Sequence, residues 1–445
     1  MSTTANHIFL SITTVQHDFE AVMTDVREGT VPSDDFWISC YHHNEPSVHG
    51  KVRAELDEKD RHLVLLKGRD GVEIERGDQH SYLVSCPQLG VTKTRVVVPS
   101  RTFRSPKTNS NPQIPTKITA FDVSPDGSQI ATGYENGSVI LESTSVPTKK
   151  FQNVIPNVHV SYVSSLRFFP SSRVLLTAGA DFTLNILPAE QVEAADPVSP
   201  VRTLKGHTRV VTDTAIVSKG RNVLSSAKDG TIRLWDVSGG KSINALGSAG
   251  WTGINAISLG ETGNSVFGRP HPDGEDHPTE SASQASAFID PREVETTGKV
   301  VFAALQSGSF EVFDLAAKKS VHSYEVGKRA LNSISYSAAH DMLVTGSADG
   351  VVTVFDTRQL SAPLTSFARN RASIESLGIS GPPTETELVI ATEDGLPYVA
   401  GVRPDGPRVH TELIGSDCDA VRMVRVTENA AIWTAGDDGV VRRYF

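Results

Sequence analysis

Seven repeats of one antiparallel β meander, preceded by a small α+β domain, are what this sequence predicts, on three observations. The stretch Arg202–Asp236, RTLKGHTRVVTDTAIVSKGRNVLSSAKDGTIRLWD, strings short apolar strands between turns that contain Gly or Asp. Six other stretches repeat its inner strand and its tight turn, at intervals of 42–48 residues with one interval of 78. Gly206-His207, the turn residue Asp229 and the closing Trp235-Asp236 are the marks of a WD-repeat blade. The fold class is therefore all-β: a seven-bladed WD-repeat β-propeller behind an N-terminal α+β domain. One such meander cannot bury both its faces alone, so repeats must stack.

In chain order, Phe19, Val22, Met23 and Val26 recur at helical spacing and predict a short amphipathic helix over Asp18–Arg27. Strand-like runs follow at Phe36–Tyr41, His62–Lys67, Val72–Glu75 and Tyr82–Cys86, with a turn at Gly68-Arg69-Asp70-Gly71. Residues 1–90 are read as the α+β domain and 91–445 as the propeller. Arg104–Pro115, rich in Ser, Asn and Pro, reads as a loop.

The inner strand recurs as Ile118–Val123, Val163–Phe168, Val211–Ile216, Ile254–Leu259, Leu331–Tyr336, Ile374–Ile379 and Val421–Val426. Its apolar residues alternate, as a strand packed between two neighbours requires. The turn position is held by Asn136, Asp181, Asp229, Ser307, Asp349, Asp394 and Asp438. The long interval contains residues 261–299, rich in Gly, Pro, Ser, Asp, Glu and His, which predict a mobile insertion in blade four. The third strand of the seventh repeat ends at Phe445, so its fourth strand is expected from the other end of the propeller, near residues 93–98 (KTRVVV).

Composition narrows the function. The chain has 445 residues, 38% hydrophobic and 21% charged, with 35 Gly and 24 Pro. That is a turn-rich globular protein. A net charge of −10 argues against a nucleic-acid binder, which needs a basic face. Cys40, Cys86 and Cys418 are too few and too scattered for a disulfide framework and suit a reducing compartment, cytoplasmic or nuclear. No signal segment or membrane-spanning run is expected. The histidines show no metal-ligand spacing and no phosphate-binding glycine loop is present, so neither metal nor cofactor is expected.

His207, Ser225 or Ser226, Asp229 and Trp235 invite a catalytic reading, with His207 and Asp229 beside a serine nucleophile. The repeat itself demands the same spacing, and no oxyanion hole accompanies it. They are read instead as a structural hydrogen-bonded lock. Function is placed on the loops of one face. Glu135, Glu393 and Asp437 precede the structural turn position, and with Asp394 and Asp419 they predict an acidic sector for a basic partner. Trp251, in a Gly-rich loop, is the expected interface anchor.

The wording of Arg202–Asp236 and of Phe36–Arg53 (FWISCYHHNEPSVHGKVR) resembles the proteasomal ATPase-associated factor family. The resemblance implies a non-enzymatic chaperone for assembly of the 19S base, holding the C-terminal domain of a proteasomal AAA ATPase subunit. It implies no nucleic-acid or membrane partner, and a chain that is monomeric on its own. A rival reading, a substrate receptor of a cullin-type ubiquitin ligase, rests on Val354-Phe355-Asp356-Thr357-Arg358.

Overall fold

The computed structural model describes residues 7–57, 59–60, 63–78, 80–107, 114–145, 152–190, 198–261 and 290–444. It divides into two compact units. A repeat unit holds Thr119–Thr345 and Thr353–Leu364; a terminal unit holds Met1–Ile118, Gly346–Val352 and Thr365–Phe445.

In the repeat unit the strands Val163–Phe168, Val174–Gly179, Thr183–Pro188 and Arg202–Lys205 form one four-stranded meander. Val211–Val217, Asn222–Ala227, Thr231–Asp236 and Lys241–Gly247 form the next, and Ile254–Glu261, Lys299–Leu305, Ser309–Asp314 and Lys319–Glu325 a third. Alternation along each strand sends its two faces to different neighbours. Val223 and Trp235 pack with Leu176, Leu184 and Ile186 of the preceding meander. Leu224, Ile232 and Leu234 pack with Ile257 and Val301 of the following one. Each such side chain, fully buried, contributes roughly 1.5–3 kcal/mol.

The inner strands share a local irregularity. Pairing shifts between Val163 and Ser165, Val211 and Asp213, and Ile254 and Ala256, and in the terminal unit between Ile374 and Ser376 and between Val421 and Met423. The residue inside each bulge is lifted out of the alternating pattern. The proposed insertion 261–299 falls mostly on residues 262–289, which lie outside the described residues. Its C-terminal flank is tied down: Asn222 accepts from the Val294 amide at 2.6 Å and donates to the Arg292 carbonyl at 3.1 Å.

The terminal unit begins with a strand Ile8–Phe9 running parallel to the end of Gln359–Ala368. The helix, Phe19–Glu28, ends on Gly29 in the left-handed conformation. It packs on a sheet of Ile12–Val15, Ser33–Tyr41, Val48–Leu56 and Val64–Gly68. Phe19 meets Phe36 at 5.4 Å and Tyr82 at 5.5 Å, in a core that also holds Met23, Ile38, Cys40, Val84, Cys86 and Val96. The thiol of Cys40 is pushed up to about 12 by burial and by the adjacent Cys86.

Two expectations are corrected here. The boundary at residue 90 falls inside a hairpin, since Ser81–Cys86 pairs with Val91–Val97. The run 93–98 does not complete the seventh repeat. Val91–Val97 pairs in parallel with Arg408–Leu413, Thr411↔Arg95 to Leu413↔Val97, and so extends the sixth repeat into a seven-stranded sheet. The closing strand of the seventh is Arg101–Arg104, antiparallel to Val440–Tyr444. The reason is burial: Val96, Val97 and Val98 are apolar on both faces and need cover on both, whereas the outermost strand needs one anchor. Phe103 supplies it against Trp433 at 5.9 Å, with the half-buried Arg101 guanidinium 4.7 Å over the Phe103 ring and Arg104 exposed at the edge.

The sixth repeat also holds a buried ion pair. Arg369 donates to Glu412 at 2.6 Å, to the Ser11 carbonyl at 3.1 Å and to the Leu396 carbonyl at 3.4 Å, and lies 4.2 Å over the Tyr398 ring. Glu412 also accepts the Thr13 amide at 2.9 Å. Both side chains are 4% exposed.

Candidate functional site at the turn rim

The residues expected to lock blade three do so. His207 Nδ1 meets Asp229 at 2.9 Å, its Nε2 meets Ser225 Oγ at 2.7 Å, and Trp235 donates its indole N–H to the same Ser225 at 2.8 Å. Asp229 also accepts the Thr208 and Thr231 amides. Burial works to raise its carboxyl, but these donors overcome burial and hold it well below the usual carboxylate range. Sequence reasoning missed a second lock. His159 meets Asp181 at 3.0 Å and Thr177 at 2.8 Å, with burial holding the imidazole below its ordinary value. Val158 replaces the glycine of the Gly-His pair and no tryptophan follows, so only the His–Asp interval of 22 residues could have shown it.

The bulged residue and the residue before the turn meet each other, and this pairing defines the rim. In the repeat unit Lys228, which precedes Asp229, reaches Asn255 and, at 3.0 Å, Gln306. Asn255 donates in turn to the Leu331 carbonyl at 2.8 Å. In the terminal unit bulged Arg422 grips Asp437 with two bonds of 3.0 and 2.8 Å and donates to bulged Glu375 at 3.0 Å. Lys117 completes the group 3.5 Å from Asp437.

Two residues of the expected acidic sector carry local bonds, Asp437 against expectation and Asp394 in the turn position read for it. Asp437 was expected to be free of structural duty; Arg422 and Lys117 hold its carboxyl below the usual range against the upward push of burial. Asp394 works as a turn residue, accepting from Asn370 at 2.6 Å and from the Leu396 amide at 3.2 Å, with Asn370 standing where blade three has His207. Glu393 and Asp419 are exposed, as expected. Burial, then repulsion from Asp438, Asp437 and Asp417, raises the Asp419 carboxyl, with Lys117 pulling it back. Carboxylates outnumber cations on this rim, and their crowding is felt at Asp419.

Asp419 is brought to the turn of blade six by Gly395. At φ +76° this glycine lies against the following loop, and a Cβ there would come within 2.6 Å of the Asp419 carbonyl. Gly395→Ala is expected to cost at least about 2 kcal/mol and to displace Asp419, from the left-handed backbone and the contact together. A denaturant melt with an unchanged midpoint would contradict that packing.

In the repeat unit Glu135 is exposed on its turn. Trp251 is 68% exposed, with φ +55°. Its ring lies on the backbone of Gly247, where a Cβ would fall 2.9 Å from the indole. Among the described residues no group of three or more His, Cys, Asp or Glu could hold a metal ion, and no helix is long and apolar enough to cross a membrane.

The family model of the WD domain, G-beta repeat, matches residues 109–141, 150–186, 198–236 and 318–356. These four stretches of the chain carry WD repeats. The match at 198–236 carries the His207–Asp229–Trp235 lock and that at 150–186 carries the His159–Asp181 pair. The chain is similar to Proteasomal ATPase-associated factor 1 of Homo sapiens, 30% identical over 192 residues, 43% of each chain. It is similar to Probable proteasomal ATPase-associated factor 1 of Dictyostelium discoideum, 24% identical over 174 residues, 37% of this chain and 40% of that one. The 26S proteasome regulatory subunit RPN14 of Saccharomyces cerevisiae is 26% identical over 216 residues, 48% of this chain and 45% of its own length. The chain is homologous to these proteins and spans less than half the length of each.

Proposed function

We propose that the chain is a non-enzymatic assembly chaperone of the proteasome base, which binds the C-terminal domain of a proteasomal ATPase subunit in the cytoplasm or nucleus. The observation that carries this reading is the carboxylate-rich rim of the terminal unit, where exposed Glu393 and Asp419 stand beside a fixed Arg422–Asp437–Glu375 cluster. Homology to two proteasome-associated factors supports it. A rigid rim offers preorganised charge to a basic helical domain without ordering cost. Glu135 and Trp251, exposed in the repeat unit, remain in the proposal as residues to be tested singly. The cullin-receptor reading gains nothing: Arg358 folds back onto Asp356 with bonds of 2.9 and 3.1 Å.

Glu393→Lys combined with Asp419→Lys is expected to weaken binding to the ATPase C-terminal domain about tenfold or more at low salt, with little change in melting temperature. Affinity measured by biolayer interferometry that stays at the parent value would remove the rim from the reading. Purified complexes containing a cullin adaptor and no ATPase would replace the reading itself.

A further inference from the structure

A second surface of the terminal unit is built where two strands part. Arg408–Leu413 pairs along one side with Tyr398–Gly401, from Tyr398↔Glu412 to Gly401↔Arg408. On its other side it meets Val91–Val97 only over Thr411–Leu413. The earlier part of Val91–Val97 pairs away from it, with Ser81–Cys86. The strands therefore fork around a cleft of about 490 Å³, lined on one side by Arg408–His410 and on the other by Val91–Thr94. No strand among the described residues pairs with Arg408–His410 on the cleft side. Ile8, Phe9 and Leu10 add an apolar wall.

An arginine is held at this fork. Arg408 donates its Nε to His410 Nε2 at 2.8 Å. That nitrogen must accept, so the ring proton sits on Nδ1 and is donated to Glu387 at 3.0 Å. The imidazole lies flat on Gly401, where any Cβ would fall 2.2 Å from the ring. The relay Glu387–His410–Arg408 fixes the guanidinium and leaves its two terminal nitrogens with no ion pair among the described residues. Lys93 and His42 also line the cleft; each has a carboxylate neighbour, Glu75 at 3.6 Å and Glu45 at 3.3 Å.

We propose that the fork is a docking site for an extended acidic peptide. Its main chain adds a short strand beside Arg408–His410, an apolar side chain rests on Phe9 and Leu10, and a carboxylate takes the free edge of Arg408. Strand edges recognise an extended main chain, and a fixed guanidinium recognises a planar carboxylate through two parallel bonds. A nucleic acid could use the charge but not the strand edge. The site shares no residue with the acidic rim, so either assignment can fail alone.

The probe is a fluorescein-labelled octapeptide of alternating valine and glutamate, titrated against the full chain by anisotropy. Saturable binding is expected, with about a tenfold loss for Arg408→Ala and a smaller loss for Arg408→Lys. Alternate N-methylation of the peptide backbone should abolish binding to the parent protein, and peptide should slow amide exchange at Val409 and His410. Arg408 is exposed, so its substitution should leave the melt unchanged. The proposal is overturned by equal affinity of Arg408→Ala, by full binding of the N-methylated peptide, by equal competition from a single-stranded oligothymidylate, or by no saturable binding.

Discussion

Arg369→Met is expected to lower the unfolding free energy by about 3–5 kcal/mol at pH 7, because it strands the Glu412 carboxylate in the sixth repeat. Glu412 is 4% exposed, and its remaining donor is the Thr13 amide at 2.9 Å. Burial already pushes its carboxyl above the ordinary value of 4.5, with Arg369 opposing that push. Removing Arg369 raises it further. A carboxyl raised in the folded state is stabilising below its unfolded value and costs stability as pH rises through its folded one. The penalty should therefore shrink as pH falls from 7 towards 4.5, and Arg369→Met with Glu412→Gln should recover part of it. Urea melts at pH 7 and 5 that give the same penalty would show that Glu412 does not carry it. Release of Ser11 and Thr13 should accompany the loss, seen as faster amide exchange near the N-terminus.

His207→Ala is expected to cost about 2–4 kcal/mol, since it removes one partner each from Asp229 and Ser225 and empties the buried centre of their network. Asp229 is the opposite titration case to Glu412. Its carboxyl is held below the ordinary 3.8, so the stability it contributes is complete above about pH 4 and fades as the medium becomes more acid. Asp229→Asn should flatten the acid limb of the stability curve and leave its slope above pH 5 unchanged. An acid limb identical to the parent's would assign that titration elsewhere.

Much of the architecture is legible in the residues. Ile118–Val123, Val163–Phe168 and Val421–Val426 have the predicted bounds, because alternating apolar residues between Gly and Asp turns leave few other pairings. The N-terminal part reads less well. Val48–Leu56 carries His, Lys, Arg and Glu on its exposed face, so its apolar half is diluted, and Arg101–Arg104 shows one apolar residue in four. Strong apolar runs drew the closing strand to 93–98 when a weak run held that place. At the rim, exposure of Glu393 and Asp419 follows from the repeat register. The engagement of Asp437 does not, because Arg422 reaches it only through a bulge, and a one-residue shift in pairing leaves no mark in composition or period.

The closing strand has a consequence for how the molecule is made. Ser100 donates to the Arg443 carbonyl across 343 positions of sequence. At translation rates of 5–20 residues per second, Arg101–Arg104 waits roughly 20–70 s for its partner strand. Until then the terminal unit has a bare sheet edge and the apolar surface meant for blade seven. A polypeptide that lacks Val440–Tyr444 would keep both.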